Sequence, residues 1–262
     1  MLAALALLTV GWATPVHAGL ADRIAATFGG MADDLVKAFQ PLEGFVLDRE
    51  GDQLYLDIGQ EGGAQVGQEF TVFRKGDVFY HSTTGKPIGR FEDVLGYAQV
   101  RRVLPRLSEA VFIPVPGQPR PQPEDGVRIS RGRIRVAIAP VLDLTATETD
   151  VRRVPYLFAT VLERSKRFQV TDPLVVRDAL ANEHVRVEEL LGRPERAVPL
   201  GRTLQVSGWL VPILIRRGNV IYLDTTWVSA ITGTALFSRR DVLQNVGSSE
   251  EQRFPWEPLP ED

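Results

Sequence analysis

Three histidines, His17, His81 and His184, are all the imidazoles in this chain, and no two stand at the spacing of a metal-binding pair. Neither His-Glu-x-x-His nor Gly-x-Ser-x-Gly occurs, so zinc-protease and serine-hydrolase chemistry lack their signatures. His81 precedes Ser82, but a catalytic dyad is a spatial arrangement that adjacency in sequence does not supply. His184, beside Glu183 in a helical stretch, reads as a surface residue. With no cysteine, thiolate metal sites, cysteine nucleophiles, disulfides and a lipid-bearing cysteine are excluded from the chain as given. Gly85-Lys86-Pro87 is only a fragment of a phosphate loop, and no dinucleotide fingerprint follows a strand. Asp48, Glu50 and Asp52 read as a charged hairpin turn, because the glycine between them is misplaced for a calcium loop. Two acid sets, Glu183, Glu188 and Glu189, and Asp143, Glu148 and Asp150, could pair carboxylates for glycoside hydrolysis. Both lie in loops or helix starts, where acids also serve capping and solvation. Arg216-Arg217 and Arg239-Arg240 make positive spots suited to partner contact or to protection of a sheet edge. No cofactor, no metal and no catalytic residue is expected.

A formal net charge of −3 argues against nucleic acid as a partner. The 262 residues suffice for two modest domains. Residues 1–18 read as a cleavable signal peptide: Leu2 to Val10 is apolar, Pro15 breaks the run, and Val16-His17-Ala18 places small residues at the cleavage positions. The missing basic residue before that core leaves two readings, a start further upstream or the amino terminus as the only charge. The expected location is the periplasm, with no transmembrane segment, since that needs roughly 20 apolar residues.

Residues 19–41 show an amphipathic helix, with Leu20, Ile24, Phe28, Met31 and Leu35 near one face. It suits either docking to a partner or packing on its own domain. Residues 42–130 hold five or six short strands with glycine turns, the pattern of a small β-barrel or sandwich. Pro114 to Asp125, with prolines at 114, 116, 119, 121 and 123, reads as a linker or wrapping loop. Residues 131–243 run strand, polar loop (143–150), helix, strand, helices, then an antiparallel meander, an α/β sandwich. In the helix, Val154, Leu157, Phe158, Val161 and Leu162 fall on one face. Trp209, Trp227 and Tyr222 are assigned to structural positions by alternation. Residues 244–262 form a polar tail with Phe254, Trp256 and Leu259 on an acidic background, either a flexible end or a docking peptide.

The motifs Ile134–Pro140, Leu162-Glu-Arg-Ser-Lys-Arg-Phe168, Gln169-Val-Thr-Asp172, Leu200-Gly-Arg-Thr-Leu204, Val206-Ser-Gly208 and Thr232-Gly-Thr-Ala-Leu236 resemble the N-terminal α/β domain of TolB. The same resemblance extends to the middle domain of the flagellar ring protein FlgT, to CsgG, and to lipoprotein activators of cell-wall synthases. Leu54 to Gly59, Gly63-Ala-Gln-Val-Gly67-Gln-Glu-Phe70-Thr-Val-Phe73, Thr84 to Gly89 and Leu95 to Val100 are similar to the C-terminal β-module of FlgT. The two modules stand in the opposite order from FlgT.

The expected fold class is thus α+β, in two domains: a small β-barrel or sandwich, then a TolB-like α/β sandwich, with an N-terminal helix. The resemblance implies a non-catalytic periplasmic assembly or scaffold protein, in a ring, secretion or Tol-type machine, and leaves an oligomer open. Expected contact residues are Phe254, Trp256, Leu259, Arg216 and Arg217. An alternative is a cell-wall glycan or peptide binder, with an aromatic groove of Phe73, Phe79, Tyr80 or Tyr97. A carboxylate-dependent hydrolase is the third reading.

Overall fold

The computed structural model describes residues 19–145 and 150–243. The signal-peptide stretch, Glu148 and the tail residues Phe254, Trp256 and Leu259 lie outside them.

Six antiparallel strands close a barrel: β1 (Leu42–Glu50), β2 (Gln53–Leu56), β3 (Glu69–Tyr80), β4 (Pro87–Val103), β5 (Ser108–Pro114) and β6 (Gly126–Ile129). Their order around the wall is β1-β2-β5-β4-β3-β6. Period-two alternation explains the interior, since Leu54 and Leu56, Phe70 and Val72, and Ala98 and Val100 all point inward and are buried. The proline-rich segment is a loop within this barrel, between β5 and β6. Arg74 grips Asp125 with two nitrogens at 2.8 and 2.7 Å, and Arg49 donates to the Pro121 carbonyl. It therefore wraps the barrel and joins no domains.

The second unit is a six-stranded sheet between two helical layers. Its strands are β7 (Ile134–Ile138), β8 (Leu142–Leu144), β9 (Phe168–Val170), β10 (Gly208–Arg217), β11 (Val220–Ser229) and β12 (Ala235–Val242). The order is β12-β11-β10-β7-β9, with β7 parallel to β9 and β10 and the last three strands antiparallel. The helices are α1 (Leu20–Ala38), α2 (Val154–Arg164), α3 (Pro173–Asn182), α4 (Val187–Gly192) and α5 (Pro194–Leu204). Asp172 caps α3 by accepting from the Leu174 N–H at 2.8 Å, and Pro173 opens it.

One departure from the sequence reading is β8, placed there at the edge of a polar loop. β10 is ten residues long and β7 only five, so the outer half of β10 lacks a neighbour once β7 ends before Pro140. Leu142–Leu144 fills that vacancy, pairing parallel with Ile213–Ile215.

For α1, the structure decides between alternatives. Of the two readings the sequence left open, packing on its own domain is the one found: Ile24, Phe28, Met31 and Leu35 are buried in one core with α2, β7, β10 and β11. α3, α4 and α5 cover the opposite face through Val176, Leu180, Leu190, Ala197 and Leu200. The barrel is thus inserted between the first helix and the first strand of the α/β unit. Phe28 and Phe158 stack with ring centroids 3.8 Å apart, joining α1 to α2. Phe28→Ala should cost about 3–5 kcal/mol of unfolding free energy in urea titrations. A docking helix free of the core would tolerate it.

Candidate functional site

The seam between barrel and sheet gathers a network of buried and half-buried polar side chains. Glu69 opens β3 and points outward from the barrel, where it meets the turn between β11 and β12. Its carboxylate accepts from Ser229 Oγ at 2.8 Å, from Gln99 Nε2 at 2.8 Å and from Thr232 Oγ1 at 3.0 Å. Burial raises the Glu69 pKa above the usual carboxylate range, and the three donors pull only partly the other way. Tyr97, half-buried beside it, is pushed up as well, first by burial and then by the Glu69 charge. A cavity of about 110 Å³ adjoins Glu69, with Arg128, Ser207, Trp227 and Phe39 in its walls. Among the described residues Glu69 is the one carboxylate lining it, so no pair of carboxylates forms there.

Arg167 fastens the other side of the seam. Its guanidinium donates to the backbone carbonyls of Phe39, Gly132 and Ser130, each at 2.5 Å. The Phe39 carbonyl belongs to the C-terminal cap of α1, where a cation is favoured by the helix dipole. Gln68 Nε2 reaches the Ala38 carbonyl at 2.9 Å, tying the barrel to the same helix end. Gly67, at φ 88°, lets the barrel backbone approach β12: a Cβ there would lie 2.5 Å from the Leu236 carbonyl oxygen.

The residues singled out by sequence are spread over the molecule. His81 sits in the hairpin turn, and its Nδ1 accepts from the backbone N–H groups of Thr83 and Thr84. His184, exposed, follows α3 in a left-handed conformation. Glu189 is a capping residue, lowered in pKa by the Arg186 N–H and then by neighbouring arginines. Asp143 accepts from Thr145, while Asp150 is held to about 2 by hydrogen bonds from Arg152. Glu189, Asp143 and Asp150 thus serve separate local duties. Arg216 and Arg217 are exposed at the end of β10, and no carboxylate of the described residues lies within ion-pair distance of them. Arg240, by contrast, is locked to Asp224 by two bonds of 2.6 Å, and Arg239 pairs with Asp34 at 3.7 Å.

The aromatic groove does not form. Phe73 is buried over Gly126 with the Arg128 guanidinium 4.3 Å from its ring centroid. Tyr97 lies at the seam, and only Phe79 and Tyr80 are exposed, on the β3–β4 hairpin. Trp209 and Trp227 are core residues: the Trp209 Nε1–H donates to the Ala197 carbonyl, and Trp227 packs on Phe39 and on Gly208. Glu69 and Arg167 carry no sequence signal as a site. Glu69 occupies an outward strand position that alternation assigns to water, and the covering unit comes from far along the chain.

Fold and seam together define a mixed α+β protein, a small barrel welded to an α/β sandwich. No protein-family model matches the chain, and neither does any curated protein. Among solved structures it is similar to the LpoB C-terminal domain from Escherichia coli, at 14% identity over 42% of this chain and 81% of that one, with a TM-score of 0.35. The LpoB C-terminal domain from Salmonella enterica gives 15%, 44%, 85% and 0.36. Lipoprotein GNA1162 from Neisseria meningitidis gives 16%, 44%, 85% and 0.36.

Two outcomes follow from the seam. A raised folded pKa means that Glu69 stabilises the fold fully below the unfolded carboxylate value, about 4, and loses that contribution as pH rises through the folded value. Urea midpoints from pH 4 to 8 should therefore fall relative to Glu69→Gln as pH increases. Arg167→Ala strips the donors from three carbonyls and should cost about 3 kcal/mol in the same titrations, with Arg167→Lys recovering part.

Proposed function

We propose that this protein is a non-catalytic, exported component of the cell envelope that holds other envelope proteins in an assembly, as the likeness of its motifs to FlgT and TolB implies. The observation that carries this reading is the edge of the sheet. β12 is an eight-residue strand paired only with β11 among the described residues, and most of its side chains are exposed. Beyond Leu236, where the barrel backbone at Gly67 closes in, the edge offers backbone donors and acceptors to a partner strand, while Arg239 and Arg240 discourage indiscriminate pairing. Arg216 and Arg217, uncovered at the same sheet's β10–β11 turn, extend the surface. Phe254, Trp256 and Leu259 of the tail supply apolar anchors to the same partner. The welded seam suits the role, because a rigid body transmits position between two surfaces.

Photo-crosslinking amino acids at Asp241 and Arg217, with Glu61 on the barrel as control, test this in the natural host. Both test positions should capture one and the same envelope protein, and that protein should return the link when labelled itself. Recovery of cell-wall fragments alone, or of nothing above the Glu61 background, sinks the proposal. Mass spectrometry of the purified protein should place the mature terminus at Gly19.

A further inference from the structure

β3 pairs with β6 only as far as Phe73, and β4 pairs with β5 only from Gly96 onward. Between those points the two strands pair with each other alone, so a hairpin projects about 20 Å beyond the barrel wall. Its root is polar and satisfied: Arg74 is held by Asp125, and Glu92 pairs with Arg128 at 2.6 Å. Its outer half is different. From Val78 to Phe91 there is no aspartate or glutamate, while Lys86 and Arg90 are both present. No carboxylate of the described residues lies within ion-pair distance of either. Tyr80, Ile88 and Phe91 are 60%, 59% and 61% exposed, and Phe79 packs on Phe91 with ring centroids 5.1 Å apart. The Phe79 ring lies over Gly89, and Ile88, one residue along, points to the other face of the ribbon.

We infer that this hairpin tip is a membrane-docking element that inserts into the interface of an anionic lipid surface. A narrow ribbon with apolar groups on both faces is covered on only one side by a flat protein surface, whereas a lipid interface surrounds it. Tyr80 and Ile88 border the polar His81–Lys86 turn, and Phe79 and Phe91 carry the apolar surface to ~15 Å down the ribbon, so the hairpin engages the interface obliquely, with its length along the headgroup boundary. Lys86 and Arg90 have the long stems that let a cation reach phosphate headgroups while the neighbouring rings sit deeper. The His81–Lys86 turn is held by backbone bonds, the His81 N–H to the Lys86 carbonyl at 2.8 Å and the Gly85 N–H to the His81 carbonyl at 2.9 Å. The tip is therefore preformed before contact. This inference is independent of the β12 edge.

The chain has no cysteine, so Ser82→Cys gives a unique attachment point for an environment-sensitive fluorophore, and Glu61→Cys marks the barrel end away from the tip. The labelled full chain is mixed with vesicles of phosphatidylglycerol and phosphatidylcholine in equal parts, or of phosphatidylcholine alone. A blue shift at the Ser82→Cys position, absent at Glu61→Cys and confined to the anionic vesicles, is expected. Lys86→Gln with Arg90→Gln should weaken partitioning on the order of twentyfold. Ile88→Ser with Phe91→Ser should weaken it by roughly tenfold or more. Unchanged thermal melts confirm that these surface variants fold. No shift with either vesicle overturns the inference, as does an equal shift with both compositions or binding untouched by the double variants. Protection of the tip by a protein partner, with no vesicle binding, overturns it also.

Discussion

A buried guanidinium surrounded by carbonyls holds this structure together. Among the described residues no carboxylate pairs with Arg167; its charge is met by three backbone oxygens from the end of α1 and from the Ser130–Arg133 connection. Such a charge is tolerable where each nitrogen finds an acceptor and dipoles converge, because desolvating an unpaired ion costs several kcal/mol. The site therefore specifies one relative placement of helix, connection and sheet, and alternatives leave the charge stranded. Gln68 and Gly67 then set the barrel against that frame.

Glu69 is the second tie across the seam. Its three donors come from both units, Gln99 from the barrel and Ser229 and Thr232 from the β11–β12 turn. Gln99 also reaches Thr232 at 3.0 Å, so barrel and turn form one network and no loose contact. Domains that meet through small polar interfaces commonly swing relative to one another. Here the Glu69 carboxyl and the Arg167 guanidinium tie the seam at two points.

Much of the fold was legible because its elements satisfy local rules. The α2 face, the Asp172-Pro173 helix start and the β10–β12 meander follow periodicity and turn chemistry that need no knowledge of the rest of the chain. What stayed hidden depends on distant partners. β8 exists because β10 outlasts β7, which no property of Leu142–Leu144 announces. The amphipathic face of α1 was plain, but whether a core or a partner covers it is settled by residues such as Phe158 and Trp227, more than a hundred positions later in the chain. Glu69 and Tyr97 stand on outward strand positions that read as solvated until a second unit covers them. The aromatic groove failed because Phe73, Tyr80 and Tyr97 face three different surroundings.

The insertion of the barrel after α1 sets an order on synthesis. α1 emerges first, yet the sheet it must cover is not complete until β12 has followed. The barrel, whose strands all lie between Leu42 and Ile129, closes on contacts local to itself and can form in the interval. Throughout that interval Ile24, Phe28 and Leu35 present an apolar stripe with no native cover, and loop closure across the whole barrel must precede its burial. A completed barrel behind a still uncovered helix is the arrangement that this chain order makes earliest available.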